Sequence, residues 1–126
     1  MLLLDSNIVI YLHGGKLDHE AVGVIRSNQL ATSNIIVAEV LSYSYTTKID
    51  LNYFKEFFLR SKNFPFDEAV TKKVVELRTT TSIKLPDAII AATALTNDLE
   101  LWTHNTKDFK KIKGLKLFDP LTNKKV

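Results

Sequence analysis

Four acids far apart in the chain, Asp5, Glu39, Asp87 and Asp108, carry the chemistry this sequence could do. Asp5 follows the continuously apolar Leu2-Leu3-Leu4 with no spacer. Glu39 stands inside Ile35-Ile36-Val37-Ala38-Glu39-Val40-Leu41, with no positive charge one helical turn away. Asp87 opens the apolar run Ala88-Ile89-Ile90-Ala91-Ala92-Thr93-Ala94-Leu95, and Asp108 belongs to Thr103-His104-Asn105-Thr106-Lys107-Asp108-Phe109. A carboxylate among apolar neighbours is costly unless it is paired or binds a metal. Carboxylates that converge without a basic partner repel one another. The usual remedy is a hard divalent cation such as Mg²⁺ or Mn²⁺, which takes oxygen ligands and often keeps several waters.

Each position alone also has a plainer reading. Asp5, with Ser6 and Asn7, could cap a helix. Glu39 could face solvent beside Ser42, and Asp87 could simply suit the positive end of a helix dipole. Asn105 and Asp108 fit turn and cap chemistry, and His104 reads as a solvated loop histidine rather than a base. No pair of histidines has zinc-ligand spacing. The weight lies in the combination.

The surrounding pattern says how these residues would be positioned. Leu2–Leu4 reads as a strand covered on both faces, handing over at Asp5 to a short helix through Leu12 that breaks at Gly14-Gly15. A helix from Asp18 or His19 precedes a strand over Leu30–Thr32. Ser33 is placed to cap a helix from Asn34 to about Tyr45. Asp50 would cap a helix from Leu51 to about Ser61, with Leu51, Phe54, Phe57 and Phe58 as its apolar face. Phe64-Pro65-Phe66 reads as extended, since proline restrains the residue before it. Asp67 caps the next helix, Thr79–Ser82 is a polar loop, and Leu85-Pro86-Asp87 opens a buried helix to about Asn97. A strand over Leu99–Trp102, a helical turn near Asp108-Phe109 and a last strand over Leu115–Phe118 complete the chain. Strands alternating with helices imply a three-layer α/β/α sandwich around a parallel sheet. In such sheets ligands bind at the carboxyl ends of the strands, where Asp5, Asp87, Asn105 and Asp108 would all emerge.

The 126 residues suit one domain spanning 1–126, with no linker, repeat or low-complexity tract. The absence of cysteine excludes disulfides, thiol nucleophiles and thiolate metal sites, and fits a cytoplasmic protein. No targeting or membrane-spanning segment is expected. Net charge is a mild +3, but Thr103–Val126 holds seven lysines against two aspartates. That excess reads either as a solvated tail or as attraction to a polyanion.

Taken in order and spacing, Leu-Leu-Asp5-Ser6-Asn7, Ala38-Glu39-Val40, Leu85-Pro86-Asp87-Ala88-Ile89-Ile90-Ala91-Ala92-Thr93-Ala94 and Thr103–Phe109 resemble the PIN domain. The size points to its VapC-like branch, the toxins of toxin–antitoxin pairs. The resemblance covers nearly the whole chain and implies a five-stranded parallel sheet sandwiched by helices. It implies a metal-dependent endoribonuclease using Mg²⁺ or Mn²⁺, with Asp5, Glu39 and Asp87 as the three core catalytic and metal-binding acids. The family's fourth acid falls where Asn105 or Asp108 stands. Since the first is an amide here, Asp108 is the candidate, acting directly or through water, with Asn105 assisting. Ser6 or Asn7 would orient Asp5, and Thr103 would support the last motif. Lys84, Lys107, Lys110 and Lys111 would hold the RNA backbone. The resemblance also implies a homodimer and a cognate antitoxin whose tail occupies the active-site groove. Tyr43, Tyr45, Tyr53, Phe54, Phe57 and Phe58 could supply such a surface, or simply pack the core.

Three other readings compete. The fold could bind nucleic acid without turnover, or cut DNA instead of RNA. A haloacid-dehalogenase-type phosphatase also begins with a strand and an aspartate, but needs a second aspartate where Asn7 stands. A nucleotide-binding fold lacks its glycine-rich loop.

Overall fold

Leu2–Leu4 forms β1, all three residues buried, at the centre of the sheet. Parallel partners flank it: β2 (Leu30–Thr32) on one side and β4 (Glu100–Trp102) on the other. β3 (Lys62–Asn63) pairs with β2, and β5 (Leu117–Asp119) pairs with β4, again in parallel. The expected five-stranded parallel sheet is therefore present, in the order β3-β2-β1-β4-β5. A sixth strand, β6 (Lys124–Lys125), adds antiparallel to β5 at the edge and was not foreseen. The computed structural model describes residues 1–43, 47–122 and 124–125, the last pair as backbone only.

Among the described residues, seven helices cover the sheet: α1 (Ser6–His13), α2 (His19–Ser27), α3 (Asn34–Leu41), α4 (Lys48–Leu59), α5 (Glu68–Thr80), α6 (Leu85–Thr96) and α7 (Thr106–Phe109). None of the described helices is long and apolar enough to cross a membrane. In α6 every residue from Ala88 to Ala94 is buried, which explains why that stretch carries no polar face. Its alanines let α5 and α3 pack closely against it. Ile8, Ile36, Val40, Ile90, Leu101 and Phe109 form the most enclosed part of the core.

Several boundaries differ from the sequence expectation, each for a local reason. α3 stops at Leu41, and at its C-cap both the Ser42 N–H and the Ser42 hydroxyl, the latter at 2.6 Å, donate to the Ala38 carbonyl. Tyr45, where that helix was expected to end, lies outside the described residues. α4 starts earlier, capped by Thr47 rather than Asp50. The two form a capping box, in which Asp50 N–H donates to Thr47 Oγ1 and Asp50 Oδ2 accepts from the Thr47 N–H. α5 runs on through Thr79 and Thr80, whose hydroxyls bond back to the Glu76 carbonyl. Only Thr81 and Ser82 of the expected polar loop lie beyond it. The ladder partner of β2 is Lys62–Asn63, just before Phe64-Pro65-Phe66. Phe64 N–H still donates to Thr32 O at 2.9 Å. β5 starts at Leu117 rather than Leu115, after Gly114 turns the chain at φ +83°.

The chain fills the sheet outward from β1 to β2 and β3, then returns to add β4 and β5 on the opposite side. The reversal of strand order lies between β1 and β4. At such a switch point the connections leave in opposite directions and open a crevice beyond the carboxyl ends of the strands.

Candidate active site

Asp5 sits at that crevice. Its N–H donates to Trp102 O at 2.9 Å, which locks the end of β1 to the end of β4. Its side chain is buried, at 5% exposure, and both oxygens are engaged. Oδ1 accepts from Ser6 N–H at 2.8 Å, so Asp5 does cap α1. Oδ2 accepts from the Thr103 hydroxyl at 2.7 Å, and Thr103 Oγ1 in turn accepts from Asn105 N–H at 3.0 Å. Capping and site formation are thus one arrangement, not alternatives.

Glu39 comes in from α3, which buries the adjacent Ile36 and Val40. It does not lie on an outward polar stripe with Ser42, whose hydroxyl turns back to its own helix. The Ser6 hydroxyl is in hydrogen-bonding reach of both Glu39 and Asp5. Glu39 Oε1 is buried and has no hydrogen-bond partner among the described residues. Asp87 enters half-buried from the first turn of α6, behind Lys84 at the N-cap.

Electrostatics ties these groups together. Burial pushes the Asp5 carboxyl above its ordinary range, against the hydrogen bonds from Thr103 and Ser6 that favour its ionised form. Burial also raises Glu39, and the charges of Asp5 and Asp87 raise it further. Asp87 is raised by burial first, then by Asp5 and Asp108, with Lys84 opposing. Each of the four acids therefore stands within the field of at least one other.

The last motif places Asp108 on α7, where Asn105 Nδ2 donates to its Oδ2 at 2.8 Å. Asn105 holds Asp108 beside Asp87. Of the two residues expected to orient Asp5, Ser6 does so, but Asn7 does not: its Oδ1 accepts from His104 N–H at 3.3 Å. The expected lysines differ in their surroundings. Lys84 adjoins Asp87, Lys111 donates to Ser82 Oγ at 3.2 Å, and Lys107 and Lys110 are exposed on and after α7.

One further pair has no counterpart among the residues the sequence pattern singles out. His104 Nδ1 lies 3.0 Å from Oδ2 of Asp119, which is buried and also accepts from Leu121 N–H through Oδ1. Asp119 ends β5 much as Asp5 follows β1. A polar residue closing an apolar strand was the signal, obscured because the strand was drawn to stop at Phe118.

Among the described residues, no group of three or more Asp, Glu, His or Cys side chains is close enough as arranged to hold a metal ion. The donor set is nevertheless the right kind for a hard cation. All its atoms are oxygens, three of its acids are held above their ordinary range, and one buried Glu39 oxygen lacks a partner. Mg²⁺ needs only one or two direct carboxylates when waters complete its shell. The residues fit such an ion.

The chain belongs to the PIN domain family, whose pattern matches residues 2–115. A toxin–antitoxin complex from Klebsiella pneumoniae contains a chain 33% identical to it, covering 95% of this chain and 98% of that one, at a TM-score of 0.78. VapBC2 from Rickettsia felis, bound to a DNA fragment from their promoter, is similar at 27% identity over 94% and 97% of the two chains, with TM-score 0.79. DNA-bound VapBC from Salmonella typhimurium shares the fold at 23% identity and TM-score 0.79, over 94% and 98% of the chains. No curated protein sequence matches the chain.

Proposed function

We propose that this chain is a divalent-metal-dependent endoribonuclease, the toxin of a toxin–antitoxin pair, acting in the cytoplasm as one domain over residues 1–126. The observation that carries the reading is the buried, unpartnered Glu39 Oε1 beside Asp5 and Asp87, acids raised by burial and by one another. Such a set is unfavourable by itself and becomes favourable around a cation. The likeness to chains of toxin–antitoxin complexes and VapBC pairs supports the toxin assignment and an antitoxin partner.

Asp5, Glu39 and Asp87 would hold Mg²⁺ or Mn²⁺, with Asp108 contributing directly or through water. When bound, the ion supplies Lewis-acid activation of a water and stabilisation of charge on the phosphate being displaced. The chain's own residues do the rest. Thr103 and Ser6 favour the ionised form of Asp5 against the burial that raises it, and fix its direction, the task usually given to groups behind a metal ligand. Asn105 fixes Asp108 in the same way. Lys84 lies beside Asp87, where it can draw a phosphate toward the acids, and Lys107, Lys110 and Lys111 extend that attraction along the backbone of the RNA. The active form in this reading is a homodimer restrained by its antitoxin.

The deciding experiment maps cleavage ends on total cellular RNA after expression of wild type and Asp87→Asn. New ends with wild type and none with the variant are expected. Wild-type-like cleavage by purified Asp5→Asn in Mn²⁺ would remove the assignment.

A further inference from the structure

Successive residues after β4 each grip a different element. Thr103 reaches the end of β1, its hydroxyl donating to Asp5 Oδ2 at 2.7 Å. Asn105 reaches α7, its Nδ2 donating to Asp108 Oδ2 at 2.8 Å, while its N–H donates to Thr103 Oγ1 at 3.0 Å. His104 stands between them and is held from both sides. Its N–H donates to Asn7 Oδ1 on α1 at 3.3 Å, and its Nδ1 lies 3.0 Å from Asp119 Oδ2 at the end of β5. Since β4 runs between β1 and β5, the loop after it is spanned by ties to both neighbours. Two of the site's acids thus hang on this loop, and a buried carboxylate holds its far side.

We propose that Asp119, acting through His104, is a positioning residue for the acidic site: it fixes the loop that aims Asp5 and Asp108. The inference rests on the ribonuclease reading and adds to it a support outside the four acids. Each non-covalent link on the path is short. From Asp119 the path runs to His104 at 3.0 Å, then through Thr103 to Asp5 at 2.7 Å, or through Asn105 to Asp108 at 2.8 Å. Asp119 is itself a fixed post. It is 4% exposed, its Oδ1 accepts from Leu121 N–H at 2.9 Å, and its carbonyl accepts from Thr122 N–H at 3.3 Å. β5 takes hold of the loop once more where Thr103 N–H donates to Phe118 O at 3.0 Å. On the other side, the bond from His104 to Asn7 is longer and joins neutral groups. A hydrogen bond to an ionised group is roughly twice as strong as one between neutral groups, so the Asp119 side carries the larger share of the restraint. An ionised carboxylate can only accept, so Nδ1 carries a proton, and Asp119 sets the orientation of the ring. The core does not fix that ring: the His104 side chain is 47% exposed, and the Tyr11 ring meets it edge-on at 6.3 Å. Without the tie to Asp119, Thr103 and Asn105 lose their shared reference.

The test compares wild type with His104→Ala and His104→Asn in the full chain. Asparagine can place an amide N–H near the position of Nδ1, and it lacks Nε2 and the rest of the ring. Without metal, hydrogen exchange at the Asn105 N–H should be faster in His104→Ala than in wild type, and close to wild type in His104→Asn. In Mn²⁺, His104→Ala should cut a short single-stranded RNA with kcat lowered about 10-fold, the low end for partners behind a metal ligand, and with KM little changed. His104→Asn should recover most of that rate. Adding Asp119→Asn to His104→Ala should lower kcat no further, since both changes break one link. Should the buried Asp119→Asn fail to fold, the half-exposed His104 variants decide the matter by themselves. Nitrogen spectra of wild type should show a proton on Nδ1 of His104. A ring protonated on Nε2 alone overturns the proposal. So does an unchanged kcat in His104→Ala, even with a lowered melting temperature, because the pair is then structural only. A loss in His104→Asn as deep as in His104→Ala, or a raised KM with kcat unchanged, assigns the ring to the substrate and overturns it as well. In each of these cases the ribonuclease reading stands. If wild type cuts no RNA, that reading falls and takes the positioning role with it.

Discussion

The Thr103 hydroxyl donates a 2.7 Å hydrogen bond to Asp5 Oδ2, joining the exits of β4 and β1 across 98 residues of chain. No other donor reaches that oxygen among the described hydrogen bonds, and the bond favours the ionised carboxylate that a metal needs. Thr103→Val keeps the shape and removes the donor. Cleavage should fall by about 10- to 100-fold, the usual effect of losing a partner behind a ligand, with the melting temperature little changed. Thr103→Ser should restore most of the rate.

The raised carboxyls make a prediction of opposite sign for stability and activity. A group whose folded pKa lies above its unfolded value binds protons better when folded. Its contribution to stability is present at low pH and is lost as pH rises from the ordinary 3.8 through the raised value. Removing one such charge relieves the others. Asp87→Asn should therefore melt at a higher temperature than wild type at pH 8 without metal, with the difference shrinking toward pH 4. The same variant should lose about a thousandfold in cleavage rate, the several kcal/mol that a bound ion supplies. Differential scanning fluorimetry across pH and a cleavage assay check the two halves.

Adding the ion should reverse that order. Millimolar Mn²⁺ should raise the melting temperature of wild type, because binding to the folded state alone stabilises it by mass action. Asp87→Asn should respond weakly, and chelation with EDTA should abolish wild-type cleavage. Equal thermal shifts for wild type and Asp87→Asn, with no heat of binding in calorimetry, would count against these acids as the ligands.

The start of α4 should be sensitive to acid. Hydrogen bonds from Thr47 and then His13 hold Asp50 down to about 2. A depressed carboxyl contributes stability above its unfolded value near 3.8 and loses it as pH falls through about 2. Asp50→Asn should flatten the stability profile between pH 4 and pH 2 while leaving neutral-pH cleavage intact. Thr47→Ala removes the other half of the capping box, for a loss of about 1 kcal/mol in denaturant titration.

Filling the last turn before the site is Phe109, with no exposed surface, immediately after Asp108. Phe109→Ala should destabilise the chain by about 3–5 kcal/mol, measured by urea unfolding, whereas Phe109→Leu should lose much less.

Sequence patterns announced the sheet because β1, β2 and β4 are short apolar runs closed by polar residues, and announced α6 because it has no polar face. They located Asp5 and Asp87 because each stands at a boundary between elements. They were weaker wherever a side chain chooses between two acceptors. Nothing in Ser6-Asn7 says that the serine turns to the carboxylates while the asparagine reaches across to His104. Nothing local says that Thr47 caps α4 while Asp50 serves from the third helical position, since either residue type suits a cap. The His104–Asp119 pair was hidden for another reason, because it joins two strands whose adjacency only the folded sheet reveals. The two-residue β6 carries no apolar alternation to read.

The central place of β1 has a consequence for the chain while it is being made. β1 precedes its neighbour β4 and the threonine that steadies Asp5 by almost a hundred residues. At about 5–20 residues per second, that delay is on the order of 5–20 s. During it Leu2–Leu4 has β2 on one side only, and the acids have no common frame. A nascent copy halted before Trp102 would hold Asp5 without its Thr103 partner and β1 without its β4 neighbour.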